Sequence, residues 1–203
     1  CNEALKMLKG NREERIQGLR IFCEYRDSRS FPLLLPLLDQ PCPVERMSVV
    51  YALGRNPCPS AVEKLVSLLE TDDNAYVRRA TAWSLANYDN QIVLEPLINA
   101  LKNDVAAVRL WSSSSLAEIG NVSLENAQLA AEQLLISLKI DNESGVRSNC
   151  IWSLCRLYEK LNNTFQESFV DECTKIALFD KEPSVMEEAK TALDSMGMQG
   201  FYN

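Results

Sequence analysis

Counted from Val77, small or apolar residues fall at positions 1, 4, 5, 8, 9 and 12 of a stretch that runs to Tyr88. That spacing paints one face of a helix. The same pattern returns along the chain. Val108-Arg109 opens a copy that ends at Gly120, Val146-Arg147 one that runs through Leu154, and Glu45-Arg46 one that ends at Gly54. A weaker copy surrounds Arg15 and ends near Tyr25, and a last one begins at Val185-Met186 and ends at Gly197. From Arg15 the intervals are 31, 32, 31, 38 and 39 residues, to Arg46, Arg78, Arg109, Arg147 and Met186. Six copies at a near-constant period form an array of supersecondary units.

A second apolar segment precedes each copy. Residues 2–9 read as a short helix, 13–25 as the first helix of the repeating type, and 31–38 as a short apolar helix. Pro32 is tolerated in a first turn, whereas Pro36 should kink or shorten that helix. Residues 60–70, 90–102, 123–139 and 164–179 complete the set, with Asn74 or Asp73, Ser123 and Asn162 placed to cap helix starts. No segment alternates as a strand does. The prediction is an all-α fold, an α-solenoid (superhelix) of about six helical hairpins, the first acting as a cap with a short leading helix. One repeat domain is expected over residues 1–203, in units of approximately 2–27, 30–56, 59–88, 90–120, 123–160 and 164–197, with residues 197–203 frayed.

Charge and cysteine usage narrow the function. The net charge of −7 disfavours a nucleic-acid backbone as partner and suits contact with other proteins. No apolar run has the length of a membrane span and no signal-peptide pattern opens the chain, which points to the cytoplasm. The start at Cys1 without a Met suggests that the native N-terminus lies further upstream. Seven cysteines in no paired framework read as reduced thiols. Cys42 and Cys58 sit in matching Pro-Cys-Pro contexts at the ends of one helix, about 15 Å apart by helical rise, too far for a bridge. With no histidine, neither a Ser-His nor a Cys-His pair can exist, and there is no Gly-rich phosphate loop.

Asp72/Asp73 before Val77-Arg78, Asp104 before Val108-Arg109, and Asp141 before Val146-Arg147 each lead into a small-residue helix. The arrangement resembles the HEAT-like repeat of the phycobilisome-lyase type, a family of cyanobacterial character. It departs from that pattern at Glu14, where Val is expected, and at Met186, where Arg is expected. The resemblance implies a HEAT-like solenoid whose second helices line the concave side. It also implies one of several roles: adaptor, bilin lyase subunit, phycobilisome-degradation factor or partner in iron–sulfur assembly. A fold of this kind selects none of them by itself.

Two residue sets carry the functional expectation. Arg46, Arg78, Arg109 and Arg147 follow Asp39, Asp72, Asp104 and Asp141 by 7, 6, 5 and 6 residues. Opposite charges at matched spacing favour a structural ladder, with each Asp pairing to the Arg of its own or a neighbouring unit, over an anion-binding row. The second set is the stripe away from the predicted core. Position 7 carries Tyr51, Trp83 and Trp152, position 3 carries Met47, Arg79 and Leu110, and position 10 is small in several units. Aromatic and Met side chains there would form a groove for a helix or extended segment of another protein. The competing reading lays both Trp rings flat against the next repeat as core. No cofactor is required by this reading. A bilin sandwiched by the aromatics, or an iron–sulfur cluster drawing on Cys23, Cys58 and Cys155, stands as the alternative.

Overall fold

The computed structural model describes residues 1–89, 91–198 and 200. Among them are twelve α-helices and no strand. The fold is an all-α solenoid of paired helices. By internal contacts the chain divides into two compact units, Cys1–Pro96 and Leu97–Asn203.

In the first unit α1 (Asn2–Met7) leads into α2 (Arg12–Glu24), and α3 (Phe31–Leu34) into α4 (Pro43–Arg55). Then α5 (Val62–Thr71) leads into α6 (Ala75–Leu85). Pro36 has the expected effect: the apolar helix stops at Leu34 and continues as 3-10 turns over Leu35–Asp39. Asn74 caps α6 by accepting from the backbone N–H groups of Tyr76 and Val77. The second helices stack in order, α2 on α4 and α4 on α6.

In the second unit α8 (Ala106–Gly120), α10 (Ser144–Leu157) and α12 (Pro183–Ser195) stack in the same way. Their companions are α9 (Leu124–Ile140), capped by Ser123, and α11 (Asn163–Phe179), capped by Asn162. The connecting helix α7 is Leu94–Asn103, shorter than the expected 90–102, whose first residue, Asn90, lies outside the described residues. The expected fraying of 197–203 falls partly on residues 199 and 201–203, which also lie outside them.

The valine that opens four of the six repeating helices explains the period. Val77, Val108, Val146 and Val185 are all buried, as are Ala80, Leu85, Leu116, Leu154, Ala189 and Leu193 further along. A lone hairpin would leave this stripe wet, so stacking is what buries it.

Candidate functional site

The arginines that follow each turn share one geometry. Arg46 makes a two-pronged contact with Asp72, Nε to Oδ2 at 2.8 Å and Nη2 to Oδ1 at 2.9 Å. Arg109 does the same with Asp141 at 2.7 and 2.8 Å, and Arg147 with Asp180 at 3.1 and 2.8 Å. Arg15 pairs with the buried Glu45. In each case the carboxylate belongs to the following helix pair. The remaining guanidinium nitrogen turns back to its own turn: Arg46 to the Gln40 and Pro41 carbonyls, Arg109 to that of Asp104, and Arg147 to those of Asp141 and Asn142. Arg78 likewise donates to the Asp72 carbonyl at 2.7 Å.

Each aspartate has a second task. Asp72 Oδ1 accepts from the backbone N–H of Asn74, Asp141 Oδ1 from Glu143 and Asp180 Oδ1 from Glu182, each at 2.9 Å. One carboxylate thus ties the preceding arginine to the next turn. Burial alone would push these carboxyls up. The facing arginine and the backbone N–H outweigh it, and all three end below the ordinary carboxylate value. Sequence spacing did not single out Asp180 or Glu45 as partners, and Asp39 faces Lys64 instead of Arg46. An Asp-x-(Asn/Glu) step just before each helix is the signal that marks Asp72, Asp141 and Asp180. Asn56 went unnoticed as well. Its amide nitrogen bonds the carbonyls of Phe22, Tyr25 and Ala52, and its oxygen accepts from Asp27, clamping α4 to the end of α2.

The stripe residues do not share one environment. In the first unit Tyr51, Trp83, Met47 and Arg79 are all half-buried. The Tyr51 and Trp83 rings meet at 5.4 Å, tilted by 55°, and Arg79 Nη2 donates to the Tyr51 hydroxyl at 3.3 Å. The Arg79 guanidinium also lies over the exposed Tyr76 ring at 5.5 Å. Trp83 leans onto Gly54, where a Cβ would come within 2.4 Å of its Cζ3. At position 10 Gly54 and Ala117 are buried, whereas Cys23, Ala86 and Cys155 are half-buried and Asp194 is exposed.

In the second unit Trp152 keeps 41% of its surface exposed. The Arg156 guanidinium covers its ring at 4.9 Å and pairs with Glu118 at 2.7 Å. Trp152 lines a groove of about 340 Å³ with Ser114, Gly145, Ser148, Asn149 and Glu188. Asn149 holds the groove's edge by donating to the Leu110 carbonyl and to the hydroxyls of Ser113 and Ser114. Leu110 itself is half-buried against the start of α10, 3.5 Å from where a Gly145 Cβ would lie.

All seven cysteines are free thiols, and no group of three metal-ligating side chains occurs among the described residues. Burial raises Cys23 and Cys155 to about 11 and pushes Cys150 and Cys173 higher still, so these sulfurs stay protonated at neutral pH. Cys42 differs. It stands at the start of α4, with Arg12 Nη2 at 2.9 Å from its sulfur. The backbone N–H of Glu45 lowers its thiol most, against a smaller upward push from burial, and the Val44 N–H and Arg12 add to the fall. Iodoacetamide at pH 7 should therefore label Cys42 well ahead of Cys23 and Cys155, by roughly tenfold or more, as read by peptide mass mapping. Arg12→Ala should slow Cys42 alone. Equal labelling of the three would refute this ordering.

A family model of HEAT repeats matches residues 2–86 and 62–155, well over half of the chain. The chain belongs to the HEAT-repeat family. No curated protein sequence matches it. Among solved structures this HEAT-repeat chain is similar to an engineered protein at 20% identity and a TM-score of 0.69, covering 97% of this chain and 99% of that one. It is also similar to a designed armadillo repeat protein in complex with the peptide (KR)4, at 18% identity and a TM-score of 0.68, covering 99% and 98%. A third likeness is to a chain in the complex of CpcE and CpcF of phycocyanin lyase from Nostoc sp. PCC7120, at 22% identity and a TM-score of 0.63, covering 82% and 99%. At such identities these likenesses speak for the fold. No helix among the described residues is long and apolar enough to cross a membrane.

Proposed function

We propose that this HEAT-repeat chain is a non-catalytic scaffold, taking a helix or extended segment of another protein on the face formed by its second helices. In this reading residues 1–203 serve as one repeat domain. The observation that carries it is Trp152, an indole left 41% exposed at the edge of a groove on that face. Large aromatic surface kept in water beside hydroxyl and amide groups is characteristic of a binding hot spot. The half-buried Tyr51, Trp83, Arg79 and Met47 would supply a contact of their own in the first unit, and Leu110 one in the second. Exposed polar residues at position 11, Arg55, Asn87, Glu118 and Arg156, supply a rim.

The test is co-purification from the native cell, read by mass spectrometry, with the Trp83→Ala/Trp152→Ala variant alongside. Loss of the captured partner by at least about tenfold is expected, since hot-spot truncations typically exceed 2 kcal/mol. Full retention by the folded variant would remove the face from consideration.

A subunit of a bilin lyase is the second reading. It is supported by the likeness of fold to a chain of the phycocyanin lyase complex and by Cys42, a thiol suited to holding an electrophilic pigment. Titration with a free bilin separates the two readings. A shifted, sharpened absorption band that Cys42→Ser abolishes would favour the lyase, and an unchanged band the scaffold.

A further inference from the structure

The groove beside Trp152 has a carboxylate with nothing to neutralise it. Glu188, on α12, is half-buried and forms no ion pair or hydrogen bond among the described residues. No cationic side chain lines the groove with it. Arg156, over the Trp152 ring, is already committed to Glu118. A carboxylate drawn partly out of water without a counter-charge is stabilised by a cation brought to it.

From this we infer that the groove binds an arginine side chain presented by an extended segment of a partner protein. The inference rests on the scaffold reading above and adds the chemistry of what is bound. Two observations select a cation, and one selects arginine. The unpaired Glu188 attracts positive charge as a carboxylate, and the Trp152 indole, still 41% exposed although Arg156 lies over its ring, adds the pull of its negative ring face. The chain also shows the recognition chemistry with its own side chain: Arg156 lies over Trp152 while its fork meets a carboxylate. A planar guanidinium can satisfy ring and carboxylate together, which a lysine ammonium does less well. The volume, about 340 Å³, admits one long side chain, with the hydroxyls of Ser114 and Ser148 left for the peptide backbone. The net charge of −7 adds a long-range pull on such a segment.

The experiment is fluorescence anisotropy with labelled Gly/Ser peptides that carry at their centre arginine, its uncharged isostere citrulline, or leucine. Wild-type protein should bind the arginine peptide about tenfold more tightly than the citrulline peptide, a gap of about 1.4 kcal/mol, and less tightly as salt rises. Glu188→Gln, at a non-core position, should erase that gap, and Trp152→Ala should weaken the arginine peptide further. Equal affinity for all three peptides, with Trp152→Ala weakening each, would overturn the arginine inference and leave the scaffold reading standing. An arginine preference that survives Glu188→Gln, or no binding of any peptide, would overturn the inference as well.

Discussion

Arg109→Met should destabilise the chain by about 3–5 kcal/mol, the range for removing one partner of a buried pair. Asp141 has only 6% of its side chain exposed and would keep one bond, from the Glu143 N–H, while losing both charge-assisted bonds to the guanidinium. The Asp104 carbonyl loses its donor too. The double variant Arg109→Met/Asp141→Asn should recover most of that loss, because the asparagine oxygen can still accept from Glu143 and no charge is stranded. Urea unfolding midpoints measure both effects. Acid provides an independent check with a definite sign. Asp72, Asp141 and Asp180 all have folded values below the unfolded carboxylate value of about 3.9. Their contribution is therefore complete above the unfolded value and disappears as pH falls through the lower folded values. The urea midpoint of the wild type should hold down to about pH 5 and drop steeply below pH 4. Arg109→Met should show a shallower drop, having already lost the Asp141 share. A midpoint unmoved at neutral pH would mean that the ladder carries no stability.

The helices were legible because their signals are local or periodic. A capping side chain reaches only its own first turn, so Asn74, Ser123 and Asn162 could be read from neighbouring residues. Valine at position 1 recurs because the four copies that carry it bury the same spot. The arginine partners were less legible, because each carboxylate lies about 26–33 residues away on the next pair and its choice depends on how pairs stack. The two tryptophans of the stripe show the limit most clearly. Trp83 and Trp152 hold the same position in their repeats, and sequence left open whether they form groove or core. The structure gives each its own answer, half-buried on Gly54 for one and 41% exposed for the other. Position 10 of the preceding repeat is Gly54 before Trp83, where a Cβ would meet the ring, and Ala117 before Trp152. Such pairings between repeats become readable only after the stacking register is known. Glu188 escaped for a similar reason: nothing in its own helix marks a carboxylate that its neighbours leave unpaired.

Gly54→Ala should therefore cost about 1–3 kcal/mol, the usual range for overpacking, although alanine is the better helix former by up to about 1 kcal/mol. The added Cβ would sit 2.4 Å from Cζ3 and 3.1 Å from Cη2 of Trp83. A rigid ring cannot yield by rotating a terminal bond, as the Leu157 methyls facing Gly120 can. The indole must swing away from α4, giving up its tilted contact with Tyr51 at 5.4 Å. Trp83 would then resemble Trp152, and its fluorescence should shift to the red as the ring enters water. The decisive measurement is the double-mutant cycle with Trp83→Ala. Without the ring, the methyl's nearest neighbour is the Ser84 hydroxyl at 3.1 Å, so most of the steric cost disappears and the helix preference for alanine remains. Gly54→Ala should then change sign, from destabilising in the wild type to neutral or stabilising in Trp83→Ala. If it destabilises both backgrounds equally, the glycine is required by α4 itself, and the absence of a Cβ there does not explain how Trp83 is seated.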